Sequence, residues 1–272
     1  MAHLAEAALH YNSRAAGARE KELPGIDKSS LERVVPDDLL KNEATGLQTF
    51  KLHIERYEFA ARKLLDTASI LDLACGVGYG SRLMKDLIPA ATVTGVDACA
   101  AAIEYATSHY SKPGLNFRVG DAMHFGDGPF DAVVSLETIE HLPDPQAFME
   151  RVTKRLLRPG GLFVGSVPVT PSMDANPHHL HDFTAHSFRK LLADQGLVEL
   201  DSLQQVQPYS PLAVITKSEE RMQAMRLNIW AYYFRHPQKA LLRLGSILTD
   251  GFQNRYLTIA AQRSANRIDQ GS

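Results

Sequence analysis

The chain has 272 residues, of which 44% are hydrophobic and 22% charged, a composition typical of a globular protein with a sizeable core. Its formal net charge of -2 provides no basic surface for phosphate backbones, so we expect no nucleic-acid partner. Its two cysteines indicate neither a disulfide framework nor a zinc ligand set, and they favour a reduced, cytoplasmic compartment.

Residues 1–50 lack a sustained apolar period, and we expect an arm that is either mobile or folded over a site as a lid. They also lack the basic start and apolar core of a signal peptide. No run in the chain reaches the ~20 apolar residues of a membrane span, so we expect no membrane contact. Leu52 to Leu65 then carries apolar side chains at helical spacing and predicts a helix.

The stretch from Ile70 to Gly80 combines an apolar run with a glycine-rich turn. The run predicts a buried parallel strand, in which Asp72 is unexpected. Glycines at positions 76, 78 and 80 allow the backbone to turn tightly and approach a ligand. A helix predicted from Ser81 to Leu87 would face that ligand with its N-terminus.

The next two predicted strands are each followed by an acid. Thr92–Val96 leads into Asp97, which could accept hydrogen bonds from ribose hydroxyls or cap the helix predicted over residues 98–109. Phe117–Val119 leads to Asp121, which could accept a hydrogen bond from an exocyclic amine such as that of adenine. Gly-Asp is also common turn chemistry, so that second assignment has an alternative.

The fourth and fifth predicted strands span residues 130–135 and 162–167, with a helix over 145–157 between them. The first of these strands leads into Glu137 and His141, and the second into His178-His179-Leu180-His181-Asp182. Ligand sites in open α/β sheets lie at the carboxyl ends of strands. We therefore expect both segments to lie over one site.

The C-terminal third predicts a helix over residues 185–195, a sixth strand over 197–206 and a last strand over 256–261. Thr184 is the expected N-cap of that helix, and Gly196 its left-handed stop. Between the last two strands we expect two helices, near residues 218–234 and 237–248. Four aromatic side chains could form a small core or the wall of an acceptor pocket: Trp230, Tyr232, Tyr233 and Phe234.

These elements predict an α/β fold, a Rossmann-like, seven-stranded, mostly parallel sheet with helices on both faces. The expected organisation is an N-terminal arm or lid, a core, a helical insertion, the last strand and a tail, over residues 1–50, 51–206, 207–255, 256–263 and 264–272. The insertion is expected to serve as an acceptor cap or as the contact of a homodimer.

The glycine turn, the three acids, the Glu137–His141 segment and Pro159-Gly160-Gly161 occur in an order that resembles class I S-adenosylmethionine-dependent methyltransferases across residues 68–206. By that resemblance the glycine turn holds the methionine moiety, Asp97 the ribose and Asp121 the adenine. The residues implied to bind S-adenosylmethionine are Arg56, Tyr57, Asp72, Ala74, Gly76, Gly78, Asp97, Ala98, Asp121, Ala122 and Glu137. S-adenosylhomocysteine would be the product.

Three outer segments resemble small-molecule methyltransferases of bacterial glycan and secondary-metabolite pathways: residues 32–36, 53–60 and 176–183. That resemblance implies a hydroxyl acceptor on a small molecule, a sugar or a glycosylated metabolite. His141 is the first candidate for the base that takes the acceptor's proton, against a bracing role in the loop. His179 or His181, oriented by Asp182, is the alternative, against simple loop packing.

The histidine-rich segment, residues 178–182, could bind a metal ion. It lacks a second group of ligands at a distant position in the sequence, so no metal is expected. Three other functions compete with the main hypothesis. One is an N- or C-methyltransferase, and another is a catalytically silent cofactor-binding partner. The third is an NAD-dependent oxidoreductase, although Ser81 stands where the dinucleotide pattern has its third glycine.

Overall fold

The computed structural model describes residues 35–36, 44–216, 225–226 and 228–264. The strands are β1 (Ser69–Leu73), β2 (Thr92–Asp97), β3 (Leu115–Val119), β4 (Phe130–Leu136), β5 (Leu157–Pro168), β6 (Leu197–Pro208) and β7 (Gln253–Arg263). The helices are α1 (Ala44–Lys63), α2 (Tyr79–Leu87), α3 (Ala100–Tyr110), α4 (Pro145–Arg151), α5 (Ala185–Asp194), α6 (Pro211–Thr216), α7 (Ile229–Arg235) and α8 (Pro237–Asp250).

All seven strands form one sheet in the order β3-β2-β1-β4-β5-β7-β6. β7 is antiparallel to both of its neighbours, and the other adjacent pairs are parallel. The predicted fold class is therefore confirmed. The chain moves outward from β1 to β3 and then returns to place β4 on the other side of β1, and this reversal opens a crevice at the carboxyl ends of these strands.

The sheet is covered on both faces, as the apolar run in β1 predicts. Ile70 and Leu71 are both fully buried but belong to separate apolar clusters, because successive side chains of a strand point to opposite faces. One cluster includes Phe148, Phe163 and Phe188, and the other includes Tyr57, Leu64 and Met84. Asp72 shares the face of Ile70, which points it toward helices α1 and α2.

The helix predicted over residues 145–157 is shorter than expected. It ends at Arg151 and continues as a π-helical turn over Val152–Leu156. β5 begins at Leu157, five residues early, so Pro159-Gly160-Gly161 lies within the strand and not before it. The β4–β5 register shifts between Phe130 and Ala132, and Gly160 has φ 75°, so these residues form a bulge, which suits a proline and a left-handed glycine.

The ends of α5 follow the sequence prediction. The Thr184 hydroxyl accepts a hydrogen bond from the Ser187 amide at 3.0 Å and so caps the helix, and Gly196 adopts φ 75° after its end. Helix α1 begins at Ala44, eight residues earlier than expected. The last residues of the predicted arm, 44–50, therefore belong to α1. Of the first 43 residues the structure describes Val35 and Pro36, and Val35 is buried beside Val77 and Tyr105. The arm's other residues before 44 lie outside the described residues.

The insertion is helical, but its first helix differs from the prediction. Residues 217–224 and 227 lie outside the described residues, and α7 begins at Ile229, where the Asn228 side chain accepts a hydrogen bond from the Ala231 amide at 3.0 Å. Trp230 is 80% exposed and Phe234 is 90% exposed, so these two side chains do not form the small core that was one of the two alternatives. Among the helices that the structure describes, none has the length and apolar content needed to cross a membrane.

Candidate functional site

One pocket opens at the carboxyl ends of β1, β2 and β4, beside α1. Its lining residues are His53, Arg56, Tyr57, Ala74, Cys75, Gly76, Val77, Tyr79, Asp97, Ala98, Gly120, Asp121, Ala122, Leu136, Glu137, Thr138, His141 and Leu142. Of the residues that the sequence assigns to a cofactor, nine are in this lining. Asp72 and Gly78 are not.

The turn after β1 is built from left-handed backbone conformations. Ala74, Gly76 and Gly78 have φ values of 67°, 57° and 87°. A methyl group added at Gly78 would lie 2.6 Å from Cβ of Ala106, whereas one added at Gly76 would meet no atom within 4 Å. Gly78 is therefore required by packing, while Gly76 leaves open space at the pocket wall.

Asp97 at the end of β2 is anchored to the glycine turn. Its carboxylate is buried, Oδ2 accepts a hydrogen bond from the Gly76 amide at 2.9 Å, and Oδ1 accepts one from the Cys99 amide at 2.9 Å. Each carboxylate oxygen can accept more than one hydrogen bond. Asp97 can therefore hold the turn in place and still accept hydroxyl groups from a ligand.

Asp72 has a different environment from the one the sequence suggests. It accepts hydrogen bonds from the Ser81 hydroxyl at 2.5 Å and from the Tyr57 hydroxyl at 3.4 Å. Burial raises the pKa of this carboxyl group to about 7, since desolvation outweighs the two hydrogen bonds. The side chain thus joins α1 and α2 to β1 behind the turn.

Arg56 brings a buried positive charge to the pocket from α1. Its Nε donates a hydrogen bond to Oε1 of Gln205 in β6 at 2.7 Å, and its guanidinium carbon lies 4.4 Å from the ring centroid of Tyr256. Within the described part of the chain, buried Nη1 makes no hydrogen bond, and Oε1 of Glu137 is 3.7 Å from it. This cation can therefore accommodate a carboxylate ligand.

Glu137, just after β4, is held in a strained backbone conformation with φ 50°. Its amide donates a hydrogen bond to Oγ of Ser166 at 3.0 Å, and its Oε1 accepts one from the same hydroxyl at 2.7 Å. Ser166 thereby fixes the carboxylate next to Arg56.

Asp121, which follows β3, lines the pocket with its side chain about half exposed. It accepts hydrogen bonds from the Met123 amide and from Nδ1 of His124, each at 2.8 Å. The His124 hydrogen bond is the main cause that lowers the pKa of this carboxyl group. The turn chemistry considered for Gly120-Asp121 is thus present, and Asp121 also lines the pocket together with Ala122.

The three candidate histidines are close together, but only His141 lines the pocket. Its Nδ1 lies 3.2 Å from the carbonyl oxygen of His178, and its ring contacts that of His179 edge to face, with centroids 4.6 Å apart. His179 Nδ1 lies 2.7 Å from Oγ of Ser172. His181 Nε2 donates a hydrogen bond to the Leu142 carbonyl oxygen at 3.0 Å. This bond connects the loop after β5 to the segment after β4.

Among the described residues, Asp182 hydrogen-bonds no imidazole, in contrast to its expected role. It accepts hydrogen bonds from the Ser172 amide at 2.8 Å, from the Met173 amide at 3.0 Å and from Nζ of Lys239 at 2.6 Å. Lys239 belongs to α8, so the acid connects the loop to the insertion. The Ser172 hydroxyl lies between the two residues, 3.4 Å from Oδ1 of Asp182 and 2.7 Å from Nδ1 of His179.

The sequence did not identify His53 and Tyr79, which also line the pocket. Nδ1 of His53 and the Tyr79 hydroxyl lie 2.7 Å apart in a hydrogen bond. His53, Arg56 and Tyr57 follow the i, i+3, i+4 spacing of one helix face. That spacing was the signal by which the sequence could have identified His53. No local pattern in the sequence predicts the contact between Gln205 and Arg56.

Residues 71–165 match the family described as methyltransferase domain. A Mycolicibacterium smegmatis protein described as a probable S-adenosylmethionine-dependent methyltransferase is 29% identical over 198 residues, which is 69% of this chain and 72% of that protein. A ubiquinone biosynthesis O-methyltransferase of Caulobacter vibrioides is 38% identical over 108 residues. That alignment covers 38% of this chain and 42% of the relative, so the chain spans less than half of that relative's length.

The crystal structure of the Bacillus subtilis protein YcgJ has the same fold. It superposes with a TM-score of 0.57 at 14% identity, over 77% of this chain and 98% of that one. At this identity the likeness describes the fold alone.

The groups around the pocket fit S-adenosylmethionine, which carries a carboxylate, an ammonium group, ribose hydroxyls and an adenine. Arg56 offers a buried cation, Asp97 offers acceptor oxygens, and Gly76 leaves space at the wall. The family match begins in β1 and ends in β5, so it includes the strands whose ends carry this pocket. The family match and the fit of the pocket together identify residues 71–165 as a methyltransferase domain, with S-adenosylmethionine as its cofactor.

Proposed function

We propose that the protein methylates a hydroxyl group of a small molecule, a sugar or a glycosylated metabolite. The observation that carries this proposal is the position of the His141 imidazole in the lining of the pocket. A carbonyl oxygen can only accept a hydrogen bond, so the 3.2 Å contact between Nδ1 and the His178 oxygen orients the ring at the pocket. An imidazole in the lining of the cofactor pocket suits an acceptor that must lose a proton.

In this proposal the pocket residues position the cofactor. Arg56 pairs with its carboxylate, the turn from Ala74 to Gly76 lies against its methionine moiety, and Asp97 accepts hydrogen bonds from its ribose. Asp121 and Ala122 contact the adenine. When bound, S-adenosylmethionine supplies a methyl group activated by a sulfonium, so the protein's main task is alignment of the acceptor.

Asp72 and Gly78 contribute to the same site indirectly in this proposal. Asp72 holds Tyr57 and Ser81, and Gly78 allows the turn to pack against α3 and β3. Both residues therefore maintain the shape of the turn.

The acceptor assignment has two supports. The Caulobacter vibrioides relative is named an O-methyltransferase, which favours oxygen as the methylated atom. The histidine-rich loop resembles those of glycan-pathway enzymes and lies beside His141. An N- or C-acceptor remains the second candidate for the methyl group.

The insertion at residues 207–255 is proposed as the acceptor cap or a homodimer contact. Lys239 and Arg243 of α8 bind Asp182 and Asp174 of the loop after β5, each through a contact of 2.6 Å. α7 and α8 also expose large apolar side chains, which a second copy could cover: Trp230, Phe234, Leu241 and Leu248. A cytoplasmic location belongs to the same proposal and agrees with free Cys75 and Cys99.

The proposal is tested with methyl-labelled S-adenosylmethionine and a fractionated extract of bacterial small molecules. Mass spectrometry of the labelled product identifies the methylated atom. We expect an O-methyl group on a hydroxylated, sugar-containing compound. A label on nitrogen or carbon would replace the hydroxyl assignment with the second candidate.

A further inference from the structure

A second cavity, of about 380 Å³, lies in the insertion beside α7. Its lining residues are Arg226, Asn228, Ala231, Tyr232, Arg235 and His236. None of the six is an acid, and two are arginines. We propose that this cavity, the insertion pocket, binds the phosphate group of a phosphate ester.

The pocket uses one side of α7. Its N-cap Asn228 and the helical residues Ala231, Tyr232 and Arg235 follow the i, i+3, i+4, i+7 spacing of one helix face. Another side of α7 attaches the helix to the loop after β5, where the Tyr233 hydroxyl donates a hydrogen bond to Oδ2 of Asp174 at 2.6 Å. The face that lines the pocket is therefore separate from the face that docks the helix.

Arg226 is held in the pocket wall by backbone contacts and by an aromatic ring. Its amide donates a hydrogen bond to the Ala175 carbonyl oxygen at 2.9 Å, and its Nη2 donates one to the Met173 carbonyl oxygen at 3.1 Å. Its guanidinium carbon lies 4.3 Å from the ring centroid of Tyr232. A guanidinium held in this way loses little conformational freedom when it binds an anion.

The positive charge of the pocket is not offset by an acid in the described part of the chain. The insertion's other described Lys and Arg residues each pair with an aspartate: Lys239, Arg243 and Arg255. Arg226 and Arg235 form no such pair among the described residues. Nε of Arg226 is also buried and makes no hydrogen bond there. An unsatisfied donor and two unpaired cations at one cavity favour an anion as the ligand.

The chemistry of the pocket fits phosphate better than a carboxylate. Oδ1 of Asn228 accepts a hydrogen bond from the Ala231 amide at 3.0 Å, which leaves the NH₂ group of that side chain to donate. Each arginine offers a planar fork of N–H donors that matches phosphate oxygens. Two arginines also match the double negative charge of a phosphate monoester.

The charge distribution along the sequence agrees with this assignment. Residues 207–255 contain seven Lys or Arg residues and three acids, although the whole chain has a net charge of -2. A local excess of positive charge raises the concentration of anions at a surface. The insertion is therefore the part of the chain where an anionic ligand is expected.

The use of the pocket in the reaction rests on the proposed function, in which the insertion is the acceptor cap. Arg226 contacts Met173 and Ala175 in the loop after β5, and the same loop carries His179. A phosphate bound by the insertion would then belong to the acceptor. The acceptor class is a sugar phosphate, or a sugar joined through phosphate to a lipid.

The pocket is tested by calorimetric titration of the full chain with inorganic phosphate at constant ionic strength. We expect one equivalent to bind, and Arg235→Gln to weaken binding at least tenfold. Arg155→Gln is the matched control, because Arg155 is an exposed arginine outside the pocket. An unchanged affinity of both variants for S-adenosylhomocysteine verifies that they are folded.

Flotation with phosphatidylglycerol vesicles distinguishes the two sources of the phosphate. Loss of vesicle binding in Arg235→Gln, but not in Arg155→Gln, would identify a lipid headgroup. Binding of inorganic phosphate without vesicle binding would identify a small phosphate ester. The proposal is overturned if the wild type binds neither probe, or if Arg235→Gln binds as well as the control.

Methyl transfer separates the pocket from the proposed function. With a phosphorylated acceptor, Arg235→Gln should raise KM at least fivefold and leave kcat unchanged, since the phosphate contact is the same in the bound substrate and in the transition state. Transfer to an acceptor without phosphate would overturn the link between pocket and acceptor. The titrations and flotation decide phosphate binding whichever atom is methylated.

Discussion

The amide of Gly76 donates a hydrogen bond to Oδ2 of Asp97 at 2.9 Å, which joins the glycine turn after β1 to the end of β2. The two residues are 21 positions apart in the chain, and parallel pairing of β1 with β2 brings them together. One carboxylate thus sets the position of the turn and faces the pocket. Changes at either residue are expected to affect cofactor binding.

Gly76 and Gly78 are expected to respond differently to alanine. Gly78→Ala places a methyl group 2.6 Å from Cβ of Ala106, and overpacking plus the left-handed backbone should lower the free energy of unfolding by about 2–4 kcal/mol. Gly76→Ala meets no such contact and should cost only about 1–2 kcal/mol, but it should weaken cofactor binding. Urea denaturation and calorimetry measure the two effects, and equal destabilisation by both variants would contradict this division.

Asp72 should make stability depend on pH. Its pKa is raised from 3.8 to about 7 in the folded protein, so folding favours the protonated form. Its contribution to stability is complete below about pH 4 and is lost as the pH rises toward 7, by on the order of 4 kcal/mol as an upper bound. Urea denaturation from pH 4 to 8 should show the wild type losing stability relative to Asp72→Asn. Parallel curves would show that burial does not raise this pKa.

If His141 takes the acceptor's proton as proposed, His141→Ala should lower turnover by roughly 10²-fold while the affinity for S-adenosylhomocysteine stays unchanged. Steady-state kinetics and calorimetry provide the two readouts. His178→Ala, with its exposed side chain, is the control that should retain turnover. Full activity of His141→Ala on a true acceptor would transfer the role to His179 or His181.

The strands and the acids at their ends could be predicted because the signals are local. A short apolar run identifies a buried parallel strand, and the topology of open α/β sheets gathers the following residues at one edge. Asp97, Asp121 and His141 reach the pocket in this way. The bulge in β5 was missed because Pro159-Gly160-Gly161 ends a helix as readily as it bends a strand.

Contacts between distant segments could not be predicted from local pattern. Gln205 meets Arg56 from 149 residues away, and Lys239 meets Asp182 from 57 residues away. The side chain of Asp72 points to the sheet face that α1 covers. Residue spacing alone does not specify which face of β1 packs against α1. A small core was one alternative for Trp230 and Phe234 because aromatic side chains are usually buried, but α7 carries both on the surface.

The most direct test of the cofactor site is calorimetric titration of S-adenosylhomocysteine into the wild type, Asp97→Ala and Asp127→Ala. Asp127 is a matched control, since it is an exposed acid that pairs with Arg118 outside the pocket. Loss of a charged hydrogen-bond acceptor should weaken binding by about 1–3 kcal/mol, roughly 5- to 150-fold, in Asp97→Ala alone. Unchanged affinity of Asp97→Ala would contradict the assignment of this pocket to the cofactor.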